Sequence, residues 1–225
     1  MLHVQDVSLA FGKQQILDDV SFTLAKGEVG LLIGQNGTGK STLLRCIAGW
    51  SQSESGTVTI NGQTRKQNQR MYYKQFIFVP DTPDFYDSLS LWEHCQFIAR
   101  MHNVADWQTT SESLLQHFAL QEHKDSFPFM LSRGMRYKLG ITLALLVSPP
   151  LLLLDEPFGP LDAVACAWLW ERLRGYAQTD KTVLLSTHTL PEGQLPDYIF
   201  HIHNKTLKLV PPEQNQSLSD LLDEN

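Results

Sequence analysis

With 225 residues, 42% of them hydrophobic and 19% charged, the chain can bury a substantial core, and its composition is that of an ordinary globular domain with room for an inserted subdomain. A formal charge of −6 argues against a general nucleic-acid binder, which carries a basic patch large enough to release counterions. The longest apolar stretch, Ile141 to Leu154, is interrupted by Ser148, Pro149 and Pro150 and falls short of the ~20 residues a membrane-spanning helix needs. The start of the chain lacks the basic and apolar runs of a secretory signal, so a cytosolic protein is expected.

Alternation in Leu2–Val4, in Val7–Leu9 and again through Val20, Phe22 and Leu24 predicts short strands, closed by a turn at Lys26-Gly27. Val29–Ile33 is a continuous apolar run of buried-strand length, followed by a glycine-rich loop and a helix from Lys40 to about Gly49. Thr57–Ile60 followed by Asn61-Gly62 predicts a hairpin, giving this end an antiparallel character. From about Pro83 to Val147 the spacing is helical: Leu91, Cys95, Ile98 and Met101, then Leu114, Leu115 and Phe118, then Leu139, Leu143 and Leu146. After Pro149-Pro150 a buried strand returns at Leu151–Leu154, then a Trp-rich helix around Ala163 to Tyr176 and a strand at Thr182 to Ser186, an alternation that implies a parallel sheet. From Pro211 the chain is polar and acidic around Leu218, Leu221 and Leu222, which predicts a loosely held tail over 211–225. Cys46, Cys95 and Cys166 are odd in number and have no CxxC spacing, so they read as small apolar packing residues.

Gly34-Gln35-Asn36-Gly37-Thr38-Gly39-Lys40-Ser41 fits GxxxxGK(S/T) between a buried strand and a helix, the context that a phosphate loop requires. Glycines let backbone amides wrap an anion, the helix N-terminus adds positive potential, Lys40 reaches the outer phosphates, and the Ser41 hydroxyl coordinates magnesium. Leu151–Leu154 runs into Asp155 and Glu156 at the strand's C-terminal edge, where open α/β sheets bind their ligands. Asp155 is then the metal-holding carboxylate. Glu156, directed elsewhere by the alternation of an extended chain, orients or deprotonates an attacking water.

Leu131-Ser132-Arg133-Gly134-Met135, about twenty residues before Asp155-Glu156, resembles the LSGGQ signature of the ABC (ATP-binding cassette) ATPases. Taken alone, a Ser-x-Gly before an amphipathic helix is an ordinary N-cap. Gly159-Pro160-Leu161-Asp162 is similar to that family's D-loop, Ser186-Thr187-His188 to its switch histidine, and Thr42 completes the phosphate loop. Phe11 stands where the family places an adenine-stacking aromatic; a packed core phenylalanine is the other reading. The resemblance extends from about Leu2 to His203. It implies an α/β P-loop fold with a mainly parallel sheet, an N-terminal antiparallel subdomain and an inserted helical subdomain, within one ATPase domain over 1–210.

The same resemblance implies an ATP- and Mg2+-dependent ATPase in which Glu156 and His188 are catalytic, Ser41 and Asp155 hold metal, and the signature acts in trans in a head-to-tail ATP sandwich with a second copy or a homologous cassette. Its further partner is a separate membrane permease, which puts the chain on the inner face of the cell membrane. The stretch Ser88 to Arg100, with Ser132 to Arg136 and Leu139-Gly140, is most similar to ABC-2-type exporter cassettes; Phe85, Tyr86 and Trp92 are then permease contacts or internal packing. Three positions depart from the family pattern. Asp81 replaces a glutamine that touches magnesium and senses the permease, and Arg133 and Met135 replace glycine and glutamine in the signature. Asp81 also offers the metal an oxygen, but it is shorter than glutamine and negatively charged, and with the altered signature it gives a second reading beside the transporter engine, a hydrolysis-impaired nucleotide switch; a third, a soluble ABC protein acting on nucleic acid, is disfavoured by the chain's negative charge.

Overall fold

The strands form two sheets, one wholly antiparallel and one mainly parallel. The computed structural model describes residues 1–191 and 193–212, so the predicted acidic tail with Leu218, Leu221 and Leu222 lies outside the described residues apart from its first two positions. The first sheet takes β1 (Leu2–Phe11), β2 (Gln14–Leu24), β4 (Ser55–Ile60) and β5 (Gln63–Thr64) in the order β2-β1-β4-β5, every pairing antiparallel. The two short strands expected at the N-terminus are one strand with a bulge. Asp6 adopts a φ of 52° and the register with β2 slips between Val4 and Val7, so Leu2, Val4, Val7 and Leu9 all stay on the buried face despite the extra residue. Asn61 and Gly62 both have positive φ, as the tight β4–β5 turn requires.

The second sheet contains β3 (Val29–Ile33), β6 (Phe76–Val79), β7 (Leu151–Asp155), β8 (Thr182–Ser186), β9 (Tyr198–His203) and β10 (Thr206–Val210), in the order β10-β9-β3-β8-β7-β6. All neighbours are parallel except the β9–β10 hairpin. Strands β3, β7 and β8 are buried along their whole length, which is why they read as unbroken apolar runs. Alternate residues face opposite cores: Leu31, Leu152, Leu154 and Leu185 pack towards one, Leu32, Leu151, Leu153 and Leu184 towards the other.

The second of these cores is closed by α1 (Lys40–Ile47) and the antiparallel sheet, and a five-residue helix, α2 (Gln69–Tyr73), adds Tyr72 to it. Between β6 and β7 lie α3 (Leu91–His102), α4 (Trp107–His117) and α5 (Arg133–Val147), which pack on one another and on the first core. A capping box between Ser90 and Glu93 starts α3, and its buried face is Leu91, Cys95 and Ala99; Met101, assigned to that face by spacing, is 61% exposed. The last helix of the described residues, α6 (Ala163–Ala177), buries Leu169, Trp170 and Leu173 in the first core. Among the described residues, no helix is long and apolar enough to cross a membrane.

Candidate active site

Strands β3, β8 and β7 are neighbours and parallel, so the residues that follow them emerge at one edge of the sheet. The loop between β3 and α1 holds two glycines at which any side chain would be strained. At Gly34, φ is 150° and a Cβ would lie 2.5 Å from the Ile202 carbonyl oxygen and 2.7 Å from Thr38 Oγ1; at Gly39, φ is 111° and a Cβ would press on Ile16 and Leu17 at 3.1 and 3.0 Å. Thr38 closes the loop on itself, its N–H and hydroxyl donating to the Gln35 carbonyl at 3.3 and 2.9 Å, while Gln35, Asn36 and Gly37 form the exposed tip. Gly39 is the N-cap of α1 and supplies no side-chain cap, leaving the first-turn amides around Ser41 and Thr42 for an anion.

Lys40 is buried, and its Nζ donates to the Gly34 carbonyl at 2.7 Å and the Gln35 carbonyl at 3.2 Å. Burial holds its pKa below the usual lysine value, against the opposing pull of Glu156 and Asp155. The ammonium is thus folded across its own loop, within reach of whatever the loop encloses. Phe11 lies at the end of β1, in the same hairpin that lays Ile16 and Leu17 against Gly39, and is 58% exposed. The alternative of a core phenylalanine is therefore excluded.

Asp155 joins the loop to the strand edges. Its Oδ1 accepts from Ser41 Oγ at 2.9 Å and Ser186 Oγ at 2.6 Å, while its Oδ2 is buried without a partner. An orphaned buried carboxylate oxygen beside a serine hydroxyl fits a hard cation such as magnesium, which takes one or two protein oxygens and keeps the rest for water and phosphate. Glu156 turns away from Asp155 for a reason other than the one expected. The strand ends at Asp155, and Glu156 has a left-handed backbone, φ 52°, pinned by its N–H donating to Ser186 carbonyl at 3.0 Å and Oγ at 3.1 Å. That turn brings Glu156 Oε1 to 2.9 Å from His188 Nε2. Burial raises the Glu156 carboxyl above its ordinary value, opposed by His188 and then Lys40, with Asp155 adding to the rise.

The signature residues sit at the start of α5. Leu131 is buried, and Ser132 caps the helix, its Oγ accepting from the Met135 N–H at 3.2 Å. Accepting leaves the hydroxyl proton of Ser132 free to be donated. Gly134 faces the Pro160 carbonyl, which a Cβ would meet at 3.1 Å, and Asp162 caps α6 through the Ala165 N–H at 2.9 Å. The side-chain hydrogen bonds of Ser132 and Arg133 go to Met135 and Asp81, outside the phosphate loop of the same chain.

Asp81 is engaged by Arg133. One guanidinium nitrogen, Nη2, donates to Oδ1 at 2.8 Å and Oδ2 at 2.7 Å, so the carboxylate offered to the metal by the sequence is taken by the signature arginine. Two of the three departures from the family pattern are thereby partners, which neither position announces alone. Tyr137 was also missed: it is fully buried on α5 and its hydroxyl donates to the Asp155 carbonyl at 2.8 Å, joining the signature helix to the end of β7. A groove of about 840 Å³ opens beside Asp81, with Trp50, Phe78, Pro83, Phe85 and Leu143 in its lining. Tyr86 beyond it is 61% exposed, whereas Phe85 is half-buried and Trp92 packs against Trp107.

The family model described as ABC transporter matches residues 17–159. The chain is 34% identical over 209 residues to the ABC-type transporter ATP-binding protein EcsA of Bacillus subtilis, covering 91% of this chain and 84% of that protein. It is 31% identical to the lantibiotic transport ATP-binding protein SrtF of Streptococcus pyogenes, covering 90% and 87%, and 32% identical to the Nod factor export ATP-binding protein I of Rhizobium meliloti, covering 86% and 58%. Among solved structures, the ATP-binding subunit of an ABC transporter superposes with a TM-score of 0.89 at 33% identity, covering 98% of this chain and 97% of that one. A nucleotide-free ATP-binding cassette shares the fold, with a TM-score of 0.78 at 21% identity.

Proposed function

The chain belongs to the ABC transporter family as an ATP-binding cassette with that family's ATPase activity, and from this premise we propose that it works as one half of a head-to-tail pair that closes on ATP and drives a separate membrane permease in export. The observation that carries this reading is the Glu156–His188 contact beside the Ser41–Asp155 hydrogen bond: a proton acceptor and a cation-binding pair at one sheet edge, next to a phosphate loop. Phosphoryl transfer to water needs positioning and charge stabilisation more than covalent chemistry, and these side chains supply both.

Lys40 exchanges the Gly34 and Gln35 carbonyls for phosphate oxygens, and Phe11 stacks on the adenine. Ser41 and Asp155 hold magnesium, whose contribution when bound is to neutralise charge spread over the phosphate oxygens. Glu156 orients the attacking water and accepts its proton on the carboxylate; His188 steadies that carboxylate through Nε2 and reaches towards the terminal phosphate. Ser132, through its hydroxyl proton, and Gly134, through its N–H at a helix N-terminus, cover the phosphate held by the other cassette. Asp162 sits between the two sites.

The groove beside Asp81 receives a cytoplasmic segment of the permease, with exposed Tyr86 at its margin. That partner would hold the chain at the inner face of the membrane. Export is supported by the likeness to proteins named for lantibiotic transport and Nod factor export. The test is steady-state ATPase activity across protein concentration, alone and beside the permease. Turnover that rises more than linearly with concentration is expected, and strictly linear turnover of a monomer would sink the two-cassette reading.

A further inference from the structure

Arg133 is the first residue of α5, where a cation works against the helix dipole, and the first turn contains no acidic residue of its own. The missing negative charge comes from Asp81, two residues beyond the end of β6. Successive turns of α5 rest on the same segment: Arg136 Nη2 donates to the Pro83 carbonyl at 3.2 Å, and Gly140 admits the side chains of Val79 and Pro83, which a Cβ would meet at 3.1 and 3.3 Å. Residues 79–84 also form one wall of the groove. One short segment is therefore the groove's wall on one side and the support of the signature turn on the other.

We propose that Asp81 and Arg133 act as one positioning unit, which sets how the Ser132–Gly134 turn is offered to a second cassette's nucleotide. The proposal rests on the two-cassette reading above. Arg133 is a positioning residue, acting through the turn that it anchors. The pair is exposed, so its removal perturbs the orientation of the turn and leaves the fold intact, and its strength is screened by salt.

The test is a double-mutant cycle in a Glu156→Gln parent, which accumulates the closed pair, with ATP-driven dimerisation followed by sedimentation. Asp81→Asn and Arg133→Gln should each weaken dimerisation by about 3- to 5-fold, the scale of an exposed ion pair. The double variant should lose no more than the worse single one, and Arg133→Lys, which keeps the charge, should retain most of the parent's dimerisation. The gap between parent and single variants should narrow at 1 M salt. Nucleotide affinity measured below the dimerisation concentration should be the same in all, because the signature acts on the other chain's nucleotide. Losses that multiply in the double variant, or single variants that dimerise like the parent, would overturn the proposal. A parent that stays monomeric with ATP removes the two-cassette reading and this proposal with it, an outcome distinct from the pair's own failure, in which the parent dimerises.

Discussion

Oε1 of Glu156 lies 2.9 Å from Nε2 of His188, and the contact exists because β7 and β8 are adjacent parallel strands whose ends are locked by Ser186. Neither side chain reaches the other along its own strand. The left-handed residue after β7 makes the turn.

Replacing Glu156 by glutamine preserves shape and removes the proton acceptor. Hydrolysis should fall by about 10²–10⁴-fold, the usual worth of a positioned base, while ATP binding persists and the closed pair accumulates. Steady-state turnover and sedimentation with ATP check this, and unchanged turnover would take Glu156 out of the proposed role.

In the proposed role, the same carboxyl should fix the acidic side of the pH–rate profile. Its pKa is raised by burial and restrained by His188, so activity that needs the carboxylate falls as pH drops through a value above the ordinary 4.5. Removing the restraint in His188→Ala should move that acidic limb to higher pH, as well as lowering the plateau. The linkage runs in the corresponding sense: a carboxyl with a raised folded-state pKa binds its proton more tightly in the folded chain, so its stability contribution is lost as pH rises through that value. Thermal melts should therefore show Glu156→Gln gaining on wild type at pH 7 relative to pH 4. A gain that is the same at both values would assign the effect to something other than ionisation.

Much of this site was legible because its signals are short and covalently contiguous. Residues 34–41 sit between a strand and a helix, and Asp155-Glu156 ends a run of four leucines, so spacing and context agree within a few residues. What escaped the sequence was either tertiary or too short to be periodic. Asp81 and Arg133 are 52 positions apart, and each read as a separate departure until the fold paired them. Strand β9 was missed because Tyr198, His201 and His203 break its apolar pattern and it is covered on one side only by the mostly exposed β10. Helix α2 spans little more than a single turn.

Lys40→Ala removes the cation that the phosphate loop holds in reserve. Charge-assisted hydrogen bonds contribute about 1.5–3 kcal/mol each, so nucleotide affinity should fall roughly 10- to 100-fold. Equilibrium binding of a fluorescent ATP analogue to the monomer reads this directly. Because Lys40 also satisfies the Gly34 carbonyl, the unliganded variant should melt at or below the wild-type temperature. Undiminished affinity would undercut the assignment of residues 34–41 to the phosphates.

Tyr137 tests whether α5 is held to the catalytic strand by a specific bond or only by apolar contact. Its hydroxyl is fully buried and donates to the Asp155 carbonyl, and burial holds its pKa well above that of a free tyrosine, so it is present as the neutral donor throughout the working range of pH. Tyr137→Phe keeps the ring and its packing but leaves a buried carbonyl without its partner, at a cost of about 1–3 kcal/mol. Urea unfolding should move to a lower midpoint with an unchanged slope, because the buried surface is the same. The lost bond also loosens the end of β7 that carries Asp155 and Glu156, so kcat should fall while ATP binding to the monomer is retained. A midpoint within experimental error of wild type would mean that another donor takes the carbonyl, and the link from signature helix to catalytic strand would then rest on packing alone.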